Sequence, residues 1–202
     1  MSFLNTSLKS GYITDLMLPP REHWRGKSAE EIIQLGLSIA LDIVHDFDAM
    51  IRMNPLVTKL EHLLASDPKA VDVTKMASDF HVPLDAPYAT SSFQQGQFAI
   101  TDKLTVLPGY STDLVYHSAM RTTTTGMESL TDPGSGVTIY GRWEVKQPES
   151  ETGVLHLLEM SETRSNVFLS WYIKATTNKS HQILHQGIKE RWLKRMKSAL
   201  TS

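Results

Sequence analysis

Along residues 98–108 apolar and polar positions alternate. Phe98, Ile100, Leu104 and Val106 fall on one parity, and Ala99, Thr101, Lys103 and Thr105 on the other. That is the period of a half-buried strand. Asp102 breaks the rule by sitting on the apolar parity. The same kind of pattern, punctuated by turn residues, predicts strands over 97–107, 113–125, 137–146, 153–160 and 166–175. Pro108-Gly109, Gly126, Pro133-Gly134 and Gly136 separate the earlier ones. A further strand over 9–18 ends at Pro19-Pro20, which makes six in total. The short connections point to an antiparallel meander.

A different period rules residues 28–53. Ser28 and Glu31 form an S-x-x-E capping box. Ile32, Ile39, Ile43, Phe47 and Met50 then share one face, flanked by Ile33, Ala40, Val44 and Ile51. Glu31, Gln34, Ser38, Asp42, His45 and Arg52 form the opposing polar stripe, so one long amphipathic helix is expected, broken by Asn54-Pro55. A shorter helix is read over 59–65. Residues 66–96 hold no period for long and read as an irregular insertion, with one short helix near 73–80. The chain closes with a helix over about 179–200, N-capped by Thr177 or Asn178, with Leu184, Ile188, Trp192 and Met196 on its buried face. Strand, helices, meander and long closing helix make a single α+β domain spanning residues 1–202, in which a curved sheet wraps a helix and leaves a pocket between them.

Composition narrows the function classes. A chain of 202 residues supports one well-buried core. A net charge of -2 gives no basic surplus for nucleic acid. The absence of cysteine removes disulfides, thiolate metal sites and a Cys nucleophile. The start of the chain has no secretory pattern, and the longest apolar stretch, residues 32–44, is too short and too interrupted to span a bilayer. A cytoplasmic protein without stable membrane insertion is expected.

Chemistry-bearing residues follow from parity. On 137–146, Val137, Ile139, Gly141, Trp143 and Val145 share a face; on 166–175, Val167, Leu169, Trp171 and Ile173 do. Trp143 and Trp171 facing one cavity suit a rigid apolar ligand. Two strands are ambiguous. Tyr116 and Met120 lie on one parity of 113–125 and His117 and Arg121 on the other; His156 and Leu158 oppose Leu155, Leu157 and Glu159 on 153–160. The catalytic candidates are Asp102 with His117 or His156, a carboxylate–imidazole pair fit for acid/base work, and Tyr116 as a donor. A buried Asp102 needs a partner, and His117, His156 or Arg121 could provide one. The substrate-binding candidates are Phe98, Ile100, Met120, Ile139, Trp143, Leu158, Leu169, Trp171, His181, Leu184, His185 and Ile188. His181 and His185 stand one helical turn apart. Read as metal ligands they lack a third partner, so no metal and no cofactor are expected. In DIVHDFD (42–48), Asp42 and His45 fall on the solvated helix stripe, and DPGSG (132–136) is a turn between strands and not a phosphate cradle. Each candidate also has a plain structural reading as core packing or an outward-facing side chain.

The phrases FAITDKLTVLP (98–108), LTDPGSGVTIYGRWEV (130–145) and GVLHLLEMSETRSN (153–166), with this order of elements, resemble the helix-grip (START-like, SRPBCC) superfamily. More narrowly they look like a fungal branch of it with no assigned function. The resemblance covers residues 95–200 best and contains no catalytic signature. It implies a cavity for a hydrophobic small molecule. It also implies either a cofactor-independent cyclase, including a Diels-Alder type of ring closure, acting on a polyketide or terpenoid intermediate of secondary metabolism, or a lipid or sterol carrier without catalysis. An interaction domain with a filled core is a third reading, and a homodimer is compatible with all three. Against the family pattern, the first helix is long, 66–96 is inserted, and the strand count is six where seven are common.

Overall fold

In a computed structural model the chain runs β1 (Asn5–Met17), α1 (Ala29–His45), α2 (Phe47–Arg52), β2 (Val57–Leu63), α3 (Val73–Phe80), β3 (Gly96–Leu107), β4 (Tyr110–Thr123), β5 (Gly126–Gly134), β6 (Val137–Lys146), β7 (Val154–Asn166) and α4 (Val167–Thr201). The structure describes residues 5–107, 110–149 and 153–201, without the side chains of 5, 106–107 and 166–180. All seven strands pair antiparallel in one curved sheet, in the order β1-β7-β6-β5-β4-β3-β2. With α4 lying across the concave face, this is the α+β helix-grip architecture expected from the sequence.

The inner face packs under α1 and the C-terminal half of α4. Leu16, Val145, Leu155 and Leu157 from the strands meet Ile32, Ile39, Ile43 and Val44 of α1 and Ile188, Trp192, Met196 and Leu200 of α4. The long-range fit depends on Gly36. A Cβ there would lie 3.0 Å from Leu155 and 3.1 Å from Leu18, and the Gly36 carbonyl accepts a hydrogen bond from Trp192 Nε1 at 2.9 Å. Ser28 caps α1 with the expected box: Glu31 N donates to its hydroxyl, and its own backbone N–H donates to the Glu31 carboxylate.

The outer face is covered as well. α3 and the segments beside it bring Val71, Val73, Met76, Phe80, Val82 and Phe93 onto Ala119 and Leu130. Under this cover Arg121 and Glu128, each with no exposed surface, form a buried pair. Arg121 Nε donates to Glu128 Oε2 at 2.8 Å and Nη1 donates to the Leu84 carbonyl at 3.0 Å. The Tyr88 and Tyr140 hydroxyls donate to Glu128 Oε1, and the guanidinium lies 4.4 Å from the Phe93 ring centroid. The inserted segment is therefore tied to the sheet by one ionic network.

Several expectations are corrected. The long helix breaks at Asp46, whose side chain accepts from Ala49 N and starts α2. His45 is half-buried, with Nε2 2.8 Å from the Gly126 carbonyl, so it does not belong to a solvated stripe. Residues 59–65 are not helical: β2 is an edge strand paired with β3, because the sheet's hydrogen bonds outweigh a weak local preference. Residues 126–134 form a further unexpected strand, β5, between those read over 113–125 and 137–146. Met127, Ser129 and Thr131 sit on its inner parity, while Glu128 and Leu130 are buried on the outer one. From Val167 on, the strand read over 166–175 is the start of α4, so Thr177 and Asn178 lie inside the helix and do not cap it; the β-branched and aromatic residues there mislead local propensity. The faces assigned to Val167, Leu169, Trp171 and Ile173 lie outside the described side chains.

Replacing Arg121 with Leu strands the buried Glu128 charge. The expected loss of unfolding free energy is about 3–5 kcal/mol, recovered in large part by the double change Arg121→Leu/Glu128→Leu. Urea denaturation of the three proteins measures it.

Candidate functional site

Strand register explains where the inner face is filled and where it is empty. One row across the sheet runs Val145, Leu157, Thr14, and is packed under the helices. The next runs Met127, Trp143, Glu159, Tyr12. The next two are small or short: Ser129, Gly141, Ser161, Ser10, and then Ser118, Thr131, Ile139, Thr163, Leu8. Above these rows lies a cavity of about 490 Å³, roofed on one side by Met50, Ile51, Asn54 and Leu56 and on the other by His181 and Leu184 of α4. Its lining is mostly apolar, with serine and threonine hydroxyls along the floor and a buried carboxylate toward each end.

At the β3–β4 end stands Asp102. It is buried, and its neighbour across the strands, Tyr116, donates a hydrogen bond to Oδ1 at 3.3 Å. Burial pushes the Asp102 carboxyl up to about 6, against opposing hydrogen bonds from Tyr116 and Asn54. Burial, and then the Asp102 charge, raise the Tyr116 phenol well above its usual value. The proposed partners are corrected. His117 lies on the opposite parity from Tyr116 and Ser118, so it faces away from the cavity. His156 faces outward on β7 and pairs with Asp15 at 3.0 Å. Arg121 is committed to Glu128.

At the β7–β1 end stands Glu159. Its Oε1 lies 2.6 Å from His181 Nδ1, and its Oε2 lies 2.9 Å from His185 Nε2. His181 stacks on Tyr12 with ring centroids 5.5 Å apart, and His185 lies 4.8 Å from the Trp143 ring. Burial pushes the Glu159 carboxyl up, but the hydrogen bonds and charges of His181 and His185 together outweigh it and hold it below the usual carboxylate range. Ser161 and Thr163 continue the polar edge along the same face.

Of the sequence-derived candidates, Asp102, Tyr116, Ile100, Met120, Ile139, Trp143, His181 and Leu184 line the cavity. Phe98 packs away from it in a cluster with Ile51, Ile100 and Met120. Ile188 belongs to the filled core, and His185 reaches the site only through Glu159. Leu158 lies on the outer face, opposite in parity to Leu157 and Glu159. Leu169 and Trp171 lie outside the described side chains. Glu159, Ser161 and Thr163 line the cavity without having been among the candidates. Their signal was the one that exposed Asp102: a strand parity that begins apolar, with Leu155 and Leu157, and then turns polar. Among the described residues no group of three side chains is arranged to hold a metal ion, and no helix is long and apolar enough to cross a membrane.

The family described as a domain of unknown function (DUF7053) matches residues 34–194. No curated protein matches the sequence. Among solved structures the chain is similar to a START superfamily protein from Mycobacterium smegmatis, at 12% identity and a TM-score of 0.46, covering 90% of this chain and 97% of that one. It is also similar to a protein from Thermus thermophilus, at 10% identity and a TM-score of 0.44, covering 94% and 99%. A conserved protein from Geobacillus kaustophilus follows at 10% identity and a TM-score of 0.41, covering 93% and 96%.

The raised Asp102 pKa sets a pH dependence. The unfolded carboxyl loses its proton near 3.8 and the folded one near 6, so the unfolded state is favoured progressively as pH rises through that window. Asp102→Asn is expected to gain stability relative to the wild type between about pH 4 and pH 6, with a constant difference above. Urea midpoints measured across this range test the sign.

Proposed function

The chain belongs to the DUF7053 family, and we propose that it binds a hydrophobic small molecule in the cavity between sheet and α4. One observation carries this reading. The cavity floor is built from small residues in register, with Ser129, Gly141 and Ser161 side by side, next to rows that are filled to the core. The space is thus encoded in the sequence rather than left by loose packing. Its volume of about 490 Å³ and its apolar lining with a few convergent polar groups suit a small-molecule ligand. Asp102, Tyr116 and Asn54 supply an anchor for a ligand hydroxyl or carbonyl at one end.

A second reading is supported by the same Asp102. A carboxyl held near 6 beside a phenolic donor suits acid/base steps on a bound chain, such as aldol closure or dehydration. Confinement of a flexible polyketide or terpenoid chain contributes to ring closure by itself, and a cycloaddition needs only that and a donor to an activating carbonyl. In this reading the protein is a cyclase without a cofactor; in the first it is a carrier.

Solvent extraction of the purified protein followed by mass spectrometry is expected to release an apolar molecule. Incubated with fresh protein, that molecule stays unchanged if the protein is a carrier, and yields an isomer or dehydrated product if it is a cyclase. Ile139→Trp, which projects bulk into the cavity, is expected to weaken binding of the apolar dye anilinonaphthalene sulfonate by at least about tenfold, or roughly 1.4 kcal/mol, while the unfolding midpoint changes little. Wild-type affinity in that variant would remove the cavity from the binding reading.

A further inference from the structure

Glu159 gives each of its oxygens to a different imidazole, and the two imidazoles face different spaces. His181 lines the cavity. His185 lines a separate surface groove of about 330 Å³ between β1 and α4, together with Tyr12, Thr14, Gln182 and Lys189. His185 Nδ1 lies 2.6 Å from the Thr14 hydroxyl. A continuous chain of close contacts therefore leads from the cavity through His181, Glu159 and His185 to Thr14 and the groove, with every link at 2.9 Å or less. Balancing one buried carboxylate does not require two imidazoles; on the other face Glu128 has one cationic partner, Arg121, with two phenols completing its hydrogen bonds. His181 Nδ1 lies close to Glu159 Oε1 as an ion-pair contact, off the line of a hydrogen bond, and this leaves Nε2 as the ring nitrogen that can serve a molecule in the cavity.

We propose that His181, positioned by Glu159, is a general acid/base acting on the molecule in the cavity, and that Glu159, His185 and Thr14 carry its proton to and from the surface groove. This rests on the cavity binding a small apolar molecule. The substrate class is an apolar compound with an acidic C–H beside a carbonyl, or a reactive O–H, presented near Ser161 and Thr163. His181 Nε2 takes the proton, and the electron pair of the broken bond stays on the substrate as enolate or alkoxide. The Nδ1 proton moves to the Glu159 carboxylate, which becomes a neutral acid, and His185, carrying a proton on each ring nitrogen, gives its Nδ1 proton through the Thr14 hydroxyl to the groove, so that one proton enters at His181 and one leaves at Thr14. The reverse order delivers a proton to the ligand. No oxidant or co-reactant is consumed.

A generic carbon acid tests this without knowledge of the natural ligand. In 5-nitro-1,2-benzisoxazole a base removes the ring C–H proton, the N–O bond breaks, and a coloured cyanonitrophenolate forms. The 202-residue chain is expected to accelerate this by about 10²-fold over buffer. His181→Ala and His181→Gln lose at least about tenfold of it. Glu159→Gln lowers kcat more than it changes KM and moves the midpoint of the pH profile, which a merely structural role would not do. His185→Asn lowers the rate, and added imidazole restores part of it. His117→Asn, on the outer face, leaves the rate unchanged. Thermal unfolding confirms that each variant is folded, and displacement of the apolar dye by the benzisoxazole reports binding. Displacement without acceleration, or full activity in a folded His181 variant, overturns the acid/base assignment and leaves the binding reading intact. Neither displacement nor acceleration overturns both. A His185→Asn rate equal to wild type overturns the groove path.

Discussion

A strand sends every second side chain to the same face, and the central strands of this sheet have cover on both faces. α1 and α4 lie over one side, and α3 with its flanking segments lies over the other. Neither parity of β5 or of the second half of β4 is simply the solvent side, so a polar residue there must find a partner or a cavity. That constraint decides what the charged residues of the sheet can do.

Among the described residues three carboxylates are buried, and each meets the constraint differently. Glu128 is held by a guanidinium and two phenols, an arrangement that fixes the outer segment in place. Glu159 is held by two imidazoles, whose ring nitrogens can each donate or accept a proton. Asp102 has only neutral partners, Tyr116 and Asn54, so burial is answered by a raised pKa in place of a counter-charge. The same functional group is thus neutralised by a guanidinium, flanked by imidazoles or left with a raised pKa according to what stands opposite it. Only the latter two face the cavity.

The strong local patterns were legible in the sequence. The Ser28 capping box, the 73–80 helix, the 137–146 strand and the parity break at Asp102 all follow from short-range rules, and the structure contains each of them. What was not legible came from burial on the second face. Leu130 and Glu128 are covered by α3, which scrambles the alternation of β5 and hid it among turn residues. Cover on both faces likewise left the parity of β4 undecidable, and on β7 apolar residues fall on both parities, Leu155 and Leu157 on one and Val154 and Leu158 on the other. The structure resolves this in favour of Tyr116 and Glu159 and against His117 and His156 as cavity residues. Residues 166–175 failed for another reason: Val167, Phe168, Trp171 and Ile173 favour a strand locally, while continuity with a 35-residue helix overrides that preference.

The position of the cavity follows from the sizes of residues along α4 and across the sheet. The C-terminal half of α4 carries Ile188, Trp192 and Met196 and meets α1 closely because Gly36 has no side chain, so that end of the inner face is closed. Toward its other half the facing rows shrink to Ser129, Gly141, Ser161 and Ser10, and the same helix that clamps the core becomes a roof over empty space. Glu159 sits in the row between these regimes, beside Trp143 and Tyr12. One row lower it would be sealed in the core, where its charge could serve only stability. One row higher it would stand among the small residues of the cavity floor, farther from the packed row that secures His185. At the boundary it is buried enough to hold both imidazoles and still lines the cavity, and His181 and His185, one helical turn apart on α4, both reach it.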